Sequence, residues 1–279
     1  MRRFQRPSTL ILAIVLLASA CGGSDPGGDS DATTAAESAT PTTSTASVTT
    51  KPLPASMDER CSLDVEADFA AIPAQDGSTL TVAGFGPPDA DTAVVLLPQI
   101  NGGLCGWVPF AQVAAGQGIR AIAVDPCGFG ASTCTSAYWR EIQQQSSDVL
   151  AWVRAEHQAD RVVLAGASAG GANALATGQD AGADTIIDLS GPADWREVVP
   201  ASEAAAAVTV PLLIVCADSD AASRPEDLRA ALEASPADPK RYLAAPKGHG
   251  WSMLTEGAPD AALTEVGETV LAWIEGDYR

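Results

Sequence analysis

The stretch RVVLAGASAGGANAL, residues 161–175, constrains the fold of this chain more than any other. A short apolar run breaks at Gly166-Ala167-Ser168-Ala169-Gly170 and gives way to an alanine-rich segment. That pattern predicts a strand feeding a helix through a very tight turn. Small residues on either side of Ser168 are what such a turn requires, because bulk there would collide with the strand or the helix. The turn puts Ser168 Oγ at the C-terminal edge of a sheet, beside the N–H of Ala169 and the positive end of the helix. A developing oxyanion is stabilised there.

A serine hydroxyl is a weak nucleophile without a base, and the chain has only two histidines. His157 closes the amphipathic segment SSDVLAWVRAEH just before the strand leading to Ser168, which places it at the opposite end of the sheet. His249 follows a late strand, between Gly248 and Gly250, in a loop on the same edge as the serine. His249 is therefore the candidate base. An acid is needed to fix the imidazole through Nδ1–H. The strand PLLIVCA, residues 211–217, ends in Asp218-Ser219-Asp220 on that edge. Asp220 is favoured because the loop has turned toward the histidine by then; Asp218 is the competitor, its other role being to brace the turn.

Taken together these pieces resemble the α/β-hydrolase family. The order Ser168, Asp220, His249 is the family's order, which ranks Asp125 and Asp188, also at strand ends, below Asp220. VVLLP followed by a glycine-containing loop, and IRAIAVDPCGFGAST, similar to the family's strand ending in Asp-x-x-Gly-x-Gly-x-Ser, extend the likeness over roughly residues 65–275. The resemblance implies an α/β fold: a doubly wound, mostly parallel eight-stranded sheet flanked by helices. It implies two oxyanion donors, the N–H of Ala169 and, by alignment of the loop, that of Ile100. Here the chain departs from the family, with Pro98-Gln99 where His-Gly is common. Gln99 can donate from its side chain or fix the loop, and Asn101-Gly102-Gly103 can equally be a flexible turn.

Apolar runs alternate with amphipathic segments, as a parallel sheet covered on both faces demands. Strands are predicted at 67–73, 78–85, 93–98, 119–124, 161–166, 184–189, 210–217 and 240–245. Helices are predicted near 108–117, 139–158, 169–178, 194–206, 225–234 and 259–275. Only about twenty residues separate Gly191 from the strand at Val210, leaving room for a minimal cap domain or none. The pocket is then shaped by loops carrying Trp107, Phe129, Tyr138, Trp139, Trp195 and Trp251. Trp107 and Trp251 are the favoured pocket residues, since they follow the oxyanion loop and the histidine.

The N-terminus, MRRFQRPSTLILAIVLLASAC, has an arginine-rich start, an apolar run too short for a confident span, and small residues before Cys21. It resembles a bacterial lipoprotein signal, residues 1–20, cut before a Cys21 that carries lipid; an ordinary secretory signal is the alternative. Either way the expectation is export, to a membrane anchor facing outward or to the medium. Residues 21–58 are rich in Gly, Ser, Thr and Asp, too poor in large apolar side chains to offset ordering entropy, and read as a tether. Residues 59–279 are the catalytic domain. A net charge of −19 argues against nucleic acid and anionic lipid as partners and leaves the lipid anchor as the only membrane contact.

Beyond Cys21, the cysteines Cys61, Cys105, Cys127, Cys134 and Cys216 match no zinc spacing, and export favours disulfides. Cys216, in an apolar strand, reads as a core residue. The function expected is serine hydrolysis of a small carboxylic ester through an acyl-enzyme, with no metal or organic cofactor. A peptidase or thioesterase would use the same residues, and a surface-binding lipoprotein is the reading from another class. The oligomeric state is not encoded in any of these patterns.

Overall fold

The computed structural model describes residues 49–257 and 261–279. The signal segment, Cys21 and most of the tether lie outside the described residues. The fold begins with a short helix α1 (Met57–Cys61), capped by Ser56, whose Met57 is buried. The described fold thus takes in the last residues of the segment read as tether. A single methionine in a polar stretch gives no periodic signal, so that edge was invisible in the sequence.

Eight strands form one sheet: β1 (Asp68–Pro73), β2 (Thr79–Phe85), β3 (Thr92–Leu97), β4 (Arg120–Asp125), β5 (Arg161–Ala167), β6 (Thr185–Leu189), β7 (Leu212–Ala217) and β8 (Lys240–Ala245). Their order is β1-β2-β4-β3-β5-β6-β7-β8. The first two pairings, β1–β2 and β2–β4, are antiparallel and the rest parallel. Helices α2 (Val108–Gly116), α3 (Ile142–His157), α4 (Ala169–Ala181), α5 (Ala201–Ala207), α6 (Pro225–Ala234) and α7 (Glu265–Glu275) cover it. Successive side chains of a strand point to opposite faces, and β3 shows the consequence. Ala93 and Val95 join one core with Leu150, Val153 and Leu175, while Val94 and Leu96 join the other with Trp107, Phe110 and Trp273.

The expected eight-stranded α/β fold is the observed one, with two helices shorter than predicted. The helix expected over 194–206 forms only at Ala201–Ala207, behind Pro200 in extended conformation. Proline disfavours helix in the residue before it and cannot sit in a helix interior, so residues 194–199 remain a loop. The helix expected over 259–275 begins at Glu265, where the Thr264 side chain accepts from the Gly267 N–H. Between β6 and β7 the only helix is α5, and no cap domain is inserted there.

Candidate active site

Ser168 sits between β5 and α4 with φ 52° and ψ −119°, a left-handed conformation for a residue with a Cβ. Such strain costs on the order of 1–3 kcal/mol and persists only where the surroundings fix it. They do so here: the Ser168 N–H donates to Leu189 O at 2.8 Å, and its carbonyl accepts the Ala172 N–H. A Cβ on Gly166 would lie 1.9 Å from Gly170 O, and one on Gly170 would lie 2.4 Å from Leu97 O. Only glycine lets α4 start this close to β5 and to the end of β3.

The loop after β7 carries Asp220, whose Oδ2 lies 2.7 Å from His249 Nδ1 and 3.0 Å from Ser223 Oγ. Burial raises the Asp220 carboxyl, but the hydrogen bonds from His249 and Ser223 outweigh it and hold the group below the usual carboxylate value. The Asp220 side chain is 9% exposed and that of His249 35%. Asp218 faces away and pairs with Arg229 at the surface. His249 leads a single helical turn, Gly250–Met253, with Gly248 and Gly250 both at positive φ. A Cβ on Gly250 would touch Ala167 Cβ at 3.1 Å and Gln99 Oε1 at 3.0 Å. The histidine turn therefore lies against the residue preceding Ser168 and against the loop after β3. Ser168 Oγ and His249 Nε2 have no hydrogen-bond partner among the described residues. His157 lies elsewhere, its Nδ1 3.1 Å from Pro88 O and its ring edge-on to Trp152.

Ala169 and Ile100 both border a cavity of about 260 Å³. Their N–H groups make no hydrogen bond among the described residues. The loop holding Ile100 is pinned from below. Asp125, at the end of β4, accepts from the Leu104 N–H at 3.0 Å and receives the Arg60 guanidinium at 2.7 and 2.5 Å. A Cβ on Gly103 or Gly130 would collide with that carboxylate. Disulfides Cys61–Cys105 and Cys127–Cys134 tie the same loops, and Cys216 is free and buried.

The structure corrects the two favoured pocket aromatics. Trp107 is wholly buried, with its indole N–H donating to Leu97 O at 3.0 Å. That main-chain acceptor lets the ring sit in the core with its polar atom satisfied. Trp251 packs edge-on against Trp107, filling the space that Gly102 and Gly106 leave open behind the loop after β3. The aromatics that line the cavity are Phe129, Trp139 and Trp195, with Gln99 also on its wall. Trp139 and Trp195 were legible as following strands that end on this edge; nothing in sequence ranked them above Trp107.

Residues 88–202 match the family model described as serine aminopeptidase, S33. No curated protein matches the chain. Among solved structures it is similar to DcsB in complex with its substrate analogue, at 15% identity and TM-score 0.65, covering 76% of this chain and 99% of that one. It is similar to dienelactone hydrolase from Anabaena variabilis at 18% identity and TM-score 0.60, covering 77% and 99%. An esterase from Pyrococcus furiosus aligns at 13% identity and TM-score 0.61, covering 82% and 95%. Likeness at these identities shows the fold.

Proposed function

We propose that this hydrolase of α/β-hydrolase fold cleaves carboxylic esters through an acyl-enzyme on Ser168. The observation that carries the reading is the 2.7 Å contact between Asp220 and His249, on a turn packed against the strained serine elbow. In this mechanism Ser168 Oγ attacks the ester carbonyl while His249 Nε2 takes its proton. The alkoxide leaves as alcohol with that proton, and water, deprotonated by the same histidine, releases the acid. Asp220 holds the imidazole with Nδ1–H toward it and stabilises the imidazolium. The N–H groups of Ala169 and Ile100 receive the oxyanion. Ser168 Oγ and His249 Nε2 make no direct hydrogen bond, and catalytic contacts of this kind tighten in the Michaelis complex.

An esterase and a dienelactone hydrolase among the similar structures support an ester or lactone substrate. A panel of para-nitrophenyl esters of increasing chain length tests the reading and reports the pocket's depth. Short esters should turn over, and Ser168→Ala should lower turnover by several orders of magnitude. A peptidase reading is favoured by the description of the matching family. Faster cleavage of aminoacyl para-nitroanilides than of esters would select it.

We propose further that the enzyme is exported and held by lipid on Cys21. The support is the sequence of residues 1–21.

A further inference from the structure

The cavity beside the oxyanion donors has two buried side-chain polar atoms without a partner among the described residues, Asn173 Oδ1 and Trp195 Nε1. Ala169, Gly170 and Asn173 all border it, a spacing that puts them on one face of α4. Gln145, Thr177 and Ser146 nearby already have partners. Gln145 Nε2 donates to Tyr138 O at 2.7 Å, Thr177 Oγ1 donates to Asn173 O at 2.7 Å, and Ser146 Oγ lies 2.8 Å from Thr177 Oγ1. The Asn173 side-chain amide makes no hydrogen bond among the described residues, and its Oδ1 is shut off from solvent. A carbonyl oxygen buried without a partner costs about 1–3 kcal/mol, so a ligand donor that completes it recovers that cost.

We propose that Asn173 determines substrate specificity by hydrogen-bonding a hydroxyl on the part of the ester held in this cavity. This rests on the esterase reading above. A hydroxyl both donates and accepts, so it serves either end of the amide. Four residues of helix separate Asn173 from the oxyanion donor Ala169, about 6 Å of rise, which places the hydroxyl several bonds from the carbonyl. Phe129, Trp139 and Trp195 between them offer flat apolar walls. The substrate class is therefore a compact ester whose bound portion is a hydroxylated ring, in preference to a straight alkyl chain.

The test compares kcat/KM of the full chain on para-nitrophenyl esters of phenylpropanoic acid and of its ring-hydroxylated counterpart, (para-hydroxyphenyl)propanoic acid. Wild type should favour the hydroxylated ester about tenfold, the worth of one net hydrogen bond. Asn173→Leu, similar in size and apolar, should bring that ratio to one or below, and Asn173→Ser should give an intermediate value. Cooperative thermal unfolding shows which variants are folded, and Asn173→Ser stands in if Asn173→Leu is not. Equal rates on the two esters in wild type, or an unchanged ratio in a folded variant, overturn the assignment of Asn173 while leaving the esterase intact. Failure of wild type to cleave either of them or para-nitrophenyl acetate overturns the esterase reading and this one with it.

Discussion

Asp218 and Asp220 stand two residues apart and face different worlds: Asp218 meets Arg229 in solvent, and Asp220 meets His249 under partial cover. If Asp220 orients the imidazole, Asp220→Asn should lower ester turnover by roughly 10⁴, by analogy with the serine-protease case. Asp218→Asn should lower it far less, because that carboxylate meets Arg229 in solvent and makes no contact with the imidazole. Steady-state kinetics on a para-nitrophenyl ester separates the two, and the reverse ranking transfers the role. Asp188 makes a different prediction. Burial beneath α4 pushes its carboxyl up to about 7, offset only in part by the Gly191 N–H at 2.6 Å, and its Oδ2 has no partner. Between the ordinary value of 3.8 and about 7 the native state keeps a proton that the unfolded chain has released. Stability is therefore lost as pH rises through that window. Asp188→Asn removes the ionisable group, so its stability relative to wild type should be greater at about pH 8 than at about pH 5 by on the order of 3 kcal/mol. Urea unfolding at the two pH values checks this; an equal difference at both would show that Asp188 does not titrate there.

At the scale of elements, what could be read from sequence was what local chemistry dictates. The strands were legible from their apolar runs, and the serine turn from glycines that the backbone crossing itself requires. Helix α6 was legible to the residue from Arg224-Pro225 and its amphipathic pattern. What escaped were features set by distant partners. Met57 and Trp107 belong to the core through contacts across the sheet, and the pairing of the cysteines depends on which loops meet above it. Those pairings carry their own prediction. The Cys61–Cys105 bridge closes 44 residues and Cys127–Cys134 only 7. By chain entropy the first contributes about 4 kcal/mol and the second about 2. Chemical unfolding of the double variants Cys61→Ala/Cys105→Ala and Cys127→Ala/Cys134→Ala should show the larger loss in the first. A larger loss in the second would mean that its loop, next to the cavity, carries more of the native packing than its length implies.

For the whole molecule, the first described residues already brace the loops of the site. Lys51 reaches Gly130 O, and Arg60 and Cys61 tie α1 to the loops of the site. A chain beginning at Lys51 keeps all of these and should hydrolyse short esters as fast as the full-length protein. One beginning at Leu63 loses the Arg60–Asp125 pair and the disulfide, and should unfold at lower temperature. Cys21→Ser should abolish lipidation and leave turnover unchanged, read by detergent partitioning and mass spectrometry of the N-terminus. An inactive chain from Lys51 would show that residues before it serve the site.

Activation of Ser168 by His249 can be read from the covalent adduct of a fluorophosphonate probe, located by peptide mass spectrometry. A single adduct is expected, on the peptide containing Ser168. It should be absent in Ser168→Ala, slowed by orders of magnitude in His249→Ala, and formed at the wild-type rate in His157→Ala. An adduct on another residue, or labelling that survives Ser168→Ala, would contradict this role of Ser168.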